Sequence, residues 1–409
     1  MKNILIMLDY YLPNASPNGI CVSKVINELK KKYNVFLLCI NKDNKEVLHE
    51  KGIKTFEIKE KKEKKKNLFT KILYHLKWLY PISKTPPYVR ENILNDLYIE
   101  ADKIIADNHI DMIVAVHLPI ETLIAGIRLK EKYPSIILTS YMLDSFSGGV
   151  LPRGIPECLS RHSKIIWEKN ILNHYDYIFL MNSSKKHHEK YTANYKWYKN
   201  AKYLDIPMLI KKEKTNSKKK DTIKLLYTGS LNMSQRNPST MIKVLACLND
   251  DNVYCEFVGT CNCKEYFTNL KGLYGERLTF TSQIPYKEID KKINEADILL
   301  NIGNSNISLI PSKIFEYMSY EKPIISTYDI SLEPSIEYLE KYPLAILIDG
   351  REEINADNIR KQVKEILNKK YSSDAIYKTF EKNVPAYFVK IIDEIFEVGE
   401  QKNEGIKDR

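Results

Sequence analysis

A chain of 409 residues with 44% hydrophobic content is too apolar for a disordered protein and long enough for two domains, each with its own core. No window approaches the roughly 18 unbroken apolar residues of a membrane span, so a cytosolic protein is expected. A formal net charge of +11 points to an anionic partner, and because lysines dominate without a stacking platform or base-reading motif, nucleic acid is not the one expected.

The chain opens with a strand, KNILIML (2 to 8), a loop YYLPNASPNG, a helical stretch VSKVINELKKKY and a second strand NVFLLCI (34 to 40), which together make a βαβ unit. Between about 45 and 105 nothing specific stands out except KEKKEKKKNLFTKILYHLKWLY, residues 59 to 80. There a lysine run precedes a helix-like stretch with Leu68, Phe69, Ile72, Leu73, Leu76 and Leu79 on one side. That pattern suits an anionic membrane surface, each lysine contributing about 1 kcal/mol, and equally an ordinary helix packed on a sheet. Further strands are expected at 111 to 117, 136 to 142 and 177 to 182.

The polar, lysine-rich run 209 to 222 has no apolar periodicity and reads as a linker, placing a domain boundary near residue 210. Residues 223 to 259 then repeat the opening plan: strand IKLLYTG, loop SLNMSQRNP, helix STMIKVLACLN, strand VYCEFVG. Strands at 297 to 303, 322 to 327 and 344 to 349 continue the second half. Beyond about 370 a helical tail carries Phe380, Val384, Phe388, Ile391 and Phe396 as an apolar stripe, with a kink expected at Pro385. The seven cysteines are odd in number and scattered, which implies reduced thiols; Cys261 and Cys263 lack a second cysteine or histidine pair at ligand spacing, so no metal site is expected there.

The segment IPSKIFEYMSYEKPII (310 to 325) is the most informative. At about 100° per residue, Lys313, Glu316, Tyr317 and Tyr320 share one face of a helix and Ile314, Phe315 and Met318 the other. Pro311 suits a first turn and Ser312 a capping or anion-contacting hydroxyl, so the helix would start near Lys313, where unpaired backbone donors attract a phosphate. The alternative is a plain i,i+3 surface pair of Lys313 and Glu316.

IKLLYTGSL, a basic residue seven positions past its glycine, ADILLNIG and IPSKIFEYMSYEKPII, in this order and spacing, resemble retaining glycosyltransferase family 4, strongly over about 220 to 330 and more weakly at the N-terminal strand and loop. The resemblance implies an α/β GT-B fold: two doubly wound Rossmann-like domains facing a central cleft, with a C-terminal helix crossing back to the first. The matching division is 1 to 210 for the acceptor, 211 to 375 for the nucleotide sugar and 376 to 409 for the returning tail.

By the same resemblance Arg236 and Lys313 grip the donor diphosphate, and Glu316 accepts hydrogen bonds from the ribose hydroxyls. Gly229 belongs to the donor-binding loop that carries Arg236, backbone groups around Ile284 border the base, and Gly19 sits in the turn that lets backbone approach the donor phosphate and the acceptor. Gly19 alone is also what an ordinary turn or N-cap would carry. His117, ending DMIVAVH, resembles the family's cleft histidine near the transferred sugar, against a buried structural histidine as the alternative. Asp144 reaches the same edge and orients an acceptor hydroxyl or caps a helix. Two positions depart from the pattern: Ser230 stands where many members carry arginine, and Ser308 where many carry a glutamate at the sugar.

A diphosphate leaving group gains negative charge during transfer, and with no DxD motif evident in the donor half the positive charge must come from side chains. No carboxylate nucleophile announces itself. The resemblance implies retention by a front-face route, in which the leaving phosphate helps deprotonate the acceptor. The expected activity is metal-independent hexosyl transfer, without a cofactor, from a nucleotide diphosphate sugar to a cell-surface glycan or lipid-linked saccharide, at the cytoplasmic face, with peripheral membrane contact through 59 to 80 as the alternative to an ordinary packed helix there. Rivals are a nucleotide-sugar epimerase or hydrolase on the same fold, and a catalytically silent nucleotide-binding subunit.

Overall fold

The computed structural model describes residues 1–13, 15–41, 49–60, 76, 78, 85–149, 155–212, 221–305 and 310–407. The chain divides into two compact units, Met1–Pro207 with Pro385–Arg409, and Met208–Val384.

The first unit is built on strands β1 (Asn3–Leu8), β2 (Asn34–Asn41), β3 (Ile53–Lys59), β4 (Met112–His117), β5 (Ile137–Met142), β6 (Tyr177–Met181) and β7 (Ala201–Leu204). They form one sheet in the order β3-β2-β1-β4-β5-β6-β7, and each pairing is parallel. The near-continuous apolar strands follow from helices covering both faces. Ile4, Ile6 and Leu8 enter one core while Leu5 and Met7 enter the other, as the two-residue strand period requires.

The helix Pro385–Lys407 belongs to this unit. Phe388, Ile391, Ile392, Ile395 and Phe396 join the same core as Val22, Val25 and Ile26 of the helix Pro17–Leu29. Phe388 packs on Tyr141 at 4.8 Å between ring centroids, and Asp393 pairs with Lys32 at 2.8 Å. Pro385 opens a new helix here instead of kinking a longer one, because a fixed φ and a missing N–H cost nothing at the first turn. The preceding helix, Ser373–Thr379, lies in the second unit.

The second unit contains β8 (Ile223–Thr228), β9 (Val253–Val258), β10 (Leu278–Thr281), β11 (Ile298–Ile302), β12 (Ile324–Tyr328) and β13 (Ala345–Asp349), ordered β10-β9-β8-β11-β12-β13. Both sheets therefore reverse direction once, between β1 and β4 and between β8 and β11. In open parallel sheets the carboxyl ends of the strands flanking such a switch point form the ligand crevice.

The strand β3 was not legible in sequence. It alternates Ile53, Phe56 and Ile58 with charged residues at a sheet edge, which mimics a polar loop. The linker run also begins later than its composition implies: Leu209 is buried with its N–H on the Asn383 carbonyl at 3.0 Å, and the Ile210 N–H donates to Ser319 Oγ at 2.9 Å. Residues 213 to 220 of that run lie outside the described residues, as does most of 59 to 80. Of the latter, Trp78 is buried, stacked on Tyr88 and edge-on to Trp167, both at 5.4 Å. Among the described residues no helix is long and apolar enough to cross a membrane.

Candidate functional site

At the switch point of the second sheet, β8 ends at Thr228 and the chain turns through Gly229 at φ +142°, a conformation an L side chain rarely adopts. The neighbouring strand turns through Gly259 at φ +130°, and a Cβ there would lie 2.1 Å from the Gly229 carbonyl oxygen. The two turns can touch only because both are glycine. The loop then doubles back, with Asn232 and Arg236 exchanging backbone hydrogen bonds at 3.4 and 3.0 Å. Asn232 Oδ1 accepts from the Gln235 N–H at 2.8 Å. This returns the guanidinium over the turn: Arg236 Nη1 would stand 3.5 Å from a Cβ on Gly229. Ser230 Oγ accepts from Thr260 Oγ1 at 2.7 Å, so the residue that stands where an arginine is common ties the two turns together instead.

The helix Lys313–Ser319 presents its first residue to the same place. Ile314, Phe315 and Met318 are fully buried, as the wheel predicts. Tyr317 and Glu316 are buried too, which departs from a simple cleft-facing stripe. The reason is visible for Tyr317, whose hydroxyl accepts the Thr228 N–H at 3.0 Å and meets Thr228 Oγ1 at 2.9 Å, pinning the helix to the end of β8. Burial drives the Tyr317 phenol well above its ordinary range. Ser312 occupies the N-cap position, but its hydroxyl makes no capping hydrogen bond.

Lys313 Nζ meets Glu316 Oε2 at 2.8 Å, while Glu316 Oε1 is buried without a hydrogen-bond partner. A buried carboxylate oxygen left in that state costs free energy unless something donates to it. Thr228, Arg236, Asn301, Ile302, Pro311 and Lys313 line one small cleft. Arg236 and Lys313 are thus brought together. Ile284 is half-buried beyond the end of β10, outside that lining. Ser308 lies outside the described residues.

Sequence reasoning missed Glu333. Its buried carboxylate accepts the Asn304 N–H at 3.1 Å and the Ser335 N–H at 2.9 Å, so it clamps the turn at the carboxyl end of β11. Burial raises its pKa. Its surroundings, SLEPS, read as loop and gave no signal.

The first sheet's switch point is built differently. Ser16 caps the helix Pro17–Leu29, accepting the Gly19 N–H at 2.9 Å and donating to Asp9 Oδ1 at 2.7 Å. Gly19 therefore lies in the first turn of a helix, and glycine is required because a Cβ would come within 2.1 Å of the Tyr10 carbonyl oxygen. Asn18 Nδ2 donates to the His117 carbonyl at 3.2 Å. His117 ends β4, almost wholly buried, edge-on to Phe146 and with Nδ1 3.3 Å from the Asp144 carbonyl. Burial lowers the His117 pKa to about 4, so at neutral pH the ring is uncharged. Nδ1–H then donates to Asp144 and Nε2 remains an acceptor, buried without a partner. Burial also raises Asp144, and takes Asp9 up to about 6. Gly19, His117 and Asp144 thus converge on one edge.

No family model matches the chain, and no curated protein does either. Solved structures do. Anabaena HepE in complex with UDP superposes with a TM-score of 0.60 at 12% identity, over 97% of this chain and 100% of that one. The lipopolysaccharide outer core galactosyltransferase WaaB gives 0.53 at 14% identity, over 97% and 99%. A UDP-GlcNAc 2-epimerase from Methanocaldococcus jannaschii gives 0.55 at 13% identity, over 96% and 99%. The fold is GT-B. Both switch points described above are where this fold's sheets offer a crevice, and among the described residues no three His, Cys, Asp or Glu side chains gather as metal ligands.

Proposed function

We propose that this GT-B protein is a retaining hexosyltransferase of the family 4 type, taking a nucleotide diphosphate sugar and glycosylating a cell-surface glycan or lipid-linked saccharide at the cytoplasmic face. The observation that carries the reading is the cleft at the β8/β11 switch point, where Arg236 and Lys313 meet one turn away from a buried carboxylate oxygen with no donor. Two cations beside an unfilled acceptor match a diphosphate joined to a ribose better than they match any neutral ligand. HepE, which shares the fold, holds UDP.

In this reading the donor diphosphate draws Lys313 from Glu316, and the ribose hydroxyls donate to Glu316 in its place. Gly229 lets the backbone approach the phosphates. Ser312 offers its uncapped hydroxyl, and the Ile284 backbone borders the base. As the bond from the anomeric carbon to the phosphate oxygen breaks, negative charge grows on the leaving group beside Arg236 and Lys313, which is where preorganised cations accelerate the reaction. The acceptor oxygen attacks from the same face, and its proton passes to the departing phosphate oxygen. Neutral His117 accepts a hydrogen bond from a sugar hydroxyl through Nε2, while Gly19 and Asp144 border the acceptor. The protein itself supplies the positive charge, without a metal.

The test is incubation with UDP-, GDP- and ADP-sugars, following nucleotide release with and without membrane lipid extract. Acceptor-dependent release with a retained anomeric configuration is expected. The second reading rests on the epimerase that shares the fold. Acceptor-independent appearance of an epimer or free sugar would establish it instead.

A further inference from the structure

We propose that Cys261 and Cys263 are a dithiol modification site in the turn bridged to the Arg236 loop, which a small-molecule disulfide oxidant closes to an intramolecular disulfide that weakens nucleotide binding. The second half rests on the function proposed above. Both thiols are free, and their sulfurs lie 3.8 Å apart. Cys263 is buried whereas Cys261 is half-buried, so an oxidant reaches Cys261 first. A disulfide needs about 2.05 Å between sulfurs, and residues this close in sequence reach it only with some backbone adjustment.

That adjustment falls on the donor loop. Cys261 is bridged to Leu231 in parallel register, the Asn262 N–H donates to the Leu231 carbonyl at 3.2 Å, and the Leu231 N–H donates to the Thr260 carbonyl at 2.8 Å. Leu231 begins the hairpin that returns Arg236 to the cleft. No slack absorbs the movement upstream, because the Gly229 and Gly259 turns are already in backbone contact.

The chemistry balances with a disulfide such as oxidised glutathione. The Cys261 thiolate attacks one sulfur, forming a mixed disulfide and releasing one glutathione thiolate. Cys263 then attacks Cys261 Sγ, its proton passes to solvent, and the second glutathione leaves. The protein loses two hydrogens and the oxidant gains them. Burial pushes the Cys263 thiol up to about 12, so the second step is the slow one and quickens as pH rises.

The experiment treats the reduced full-length protein with oxidised glutathione, blocks residual thiols, locates the bond by peptide fragmentation and measures UDP affinity in parallel. Expected are a loss of two hydrogens confined to 261–263, at least fivefold weaker UDP binding, recovery with dithiothreitol, and no oxidant effect in Cys261→Ser. A glutathione adduct that persists on Cys261 without ring closure overturns the proposal. So does closure with unchanged affinity, or an equal oxidative loss of affinity in Cys261→Ser. If the reduced protein binds no nucleotide, the function reading and the coupling to it fall together, while the fragmentation data still decide whether the dithiol closes.

Discussion

The two units use one strand order and one crevice geometry, yet equip their switch points with opposite electrostatics. The second sheet places Arg236 and Lys313 on a single cleft. The first sheet surrounds its edge with groups that burial drives toward neutrality: His117 with a pKa near 4, Asp144 raised, Asp9 near 6. A scaffold that creates a crevice does not decide what enters it; the side chains do. In the proposed division of labour, the basic crevice takes the polyanion and the buried one handles hydroxyl groups, whose hydrogen bonds gain from a dry setting.

The largest break in that comparison should come from Lys313→Ala. Removing one preorganised charge from a developing anion costs about 10² to 10³ in turnover. The same change strands the buried Glu316 carboxylate, so some loss of stability, about 1 to 3 kcal/mol, accompanies it. The double variant Lys313→Met, Glu316→Gln separates the two effects: it should recover the unfolding midpoint and remain inactive. Near-normal kcat/KM in Lys313→Ala would end the assignment of this cleft to the diphosphate.

Arg236→Ala should follow with about a 10²-fold loss, and here stability should be unchanged within about 0.5 kcal/mol, because the side chain is half-exposed on a surface loop. Circular dichroism melts beside steady-state rates check both parts. Smaller again is Glu316→Gln. UDP affinity should fall about tenfold, roughly 1.4 kcal/mol, and discrimination against the 2′-deoxy nucleotide should disappear. If Glu316→Gln distinguishes UDP from its deoxy analogue as well as the parent does, the buried oxygen serves something other than the ribose.

Much of this was readable from the chain because periodicity and glycine placement are local properties. The strands flanking both switch points are buried on both faces, so their apolar runs are unmistakable, and the Lys313 helix shows its core face at the expected spacing. The hidden parts depend on distant partners. Edge strand β3 alternates charge with apolar residues, Glu333 gains meaning only beneath the Asn304 turn, and Tyr317 turns inward because Thr228 waits there. Pro385 marks a helix start that sequence alone reads as a kink, since both follow from the same ring.

The smallest expected effect concerns the buried crevice itself and sharpens the contrast through pH. His117 takes up a proton near 6.5 when unfolded but only near 4 when folded, so between those values the unfolded state binds more protons. His117 therefore contributes stability that is lost as pH falls from about 6.5 to about 4. Asp9 acts with the opposite sign, because its folded pKa near 6 exceeds the ordinary 3.8 and the folded state holds the extra proton. Its contribution is lost as pH rises through about 6. Urea midpoints at pH 4.5 and 7.5 distinguish the two. His117→Gln should flatten the loss on the acid side, and Asp9→Asn should raise the midpoint at pH 7.5 more than at pH 4.5, each by about 1 kcal/mol. If both variants track the parent at both pH values, burial does not tune this edge, and its supposed contrast with the charged crevice reduces to which residues happen to carry formal charge.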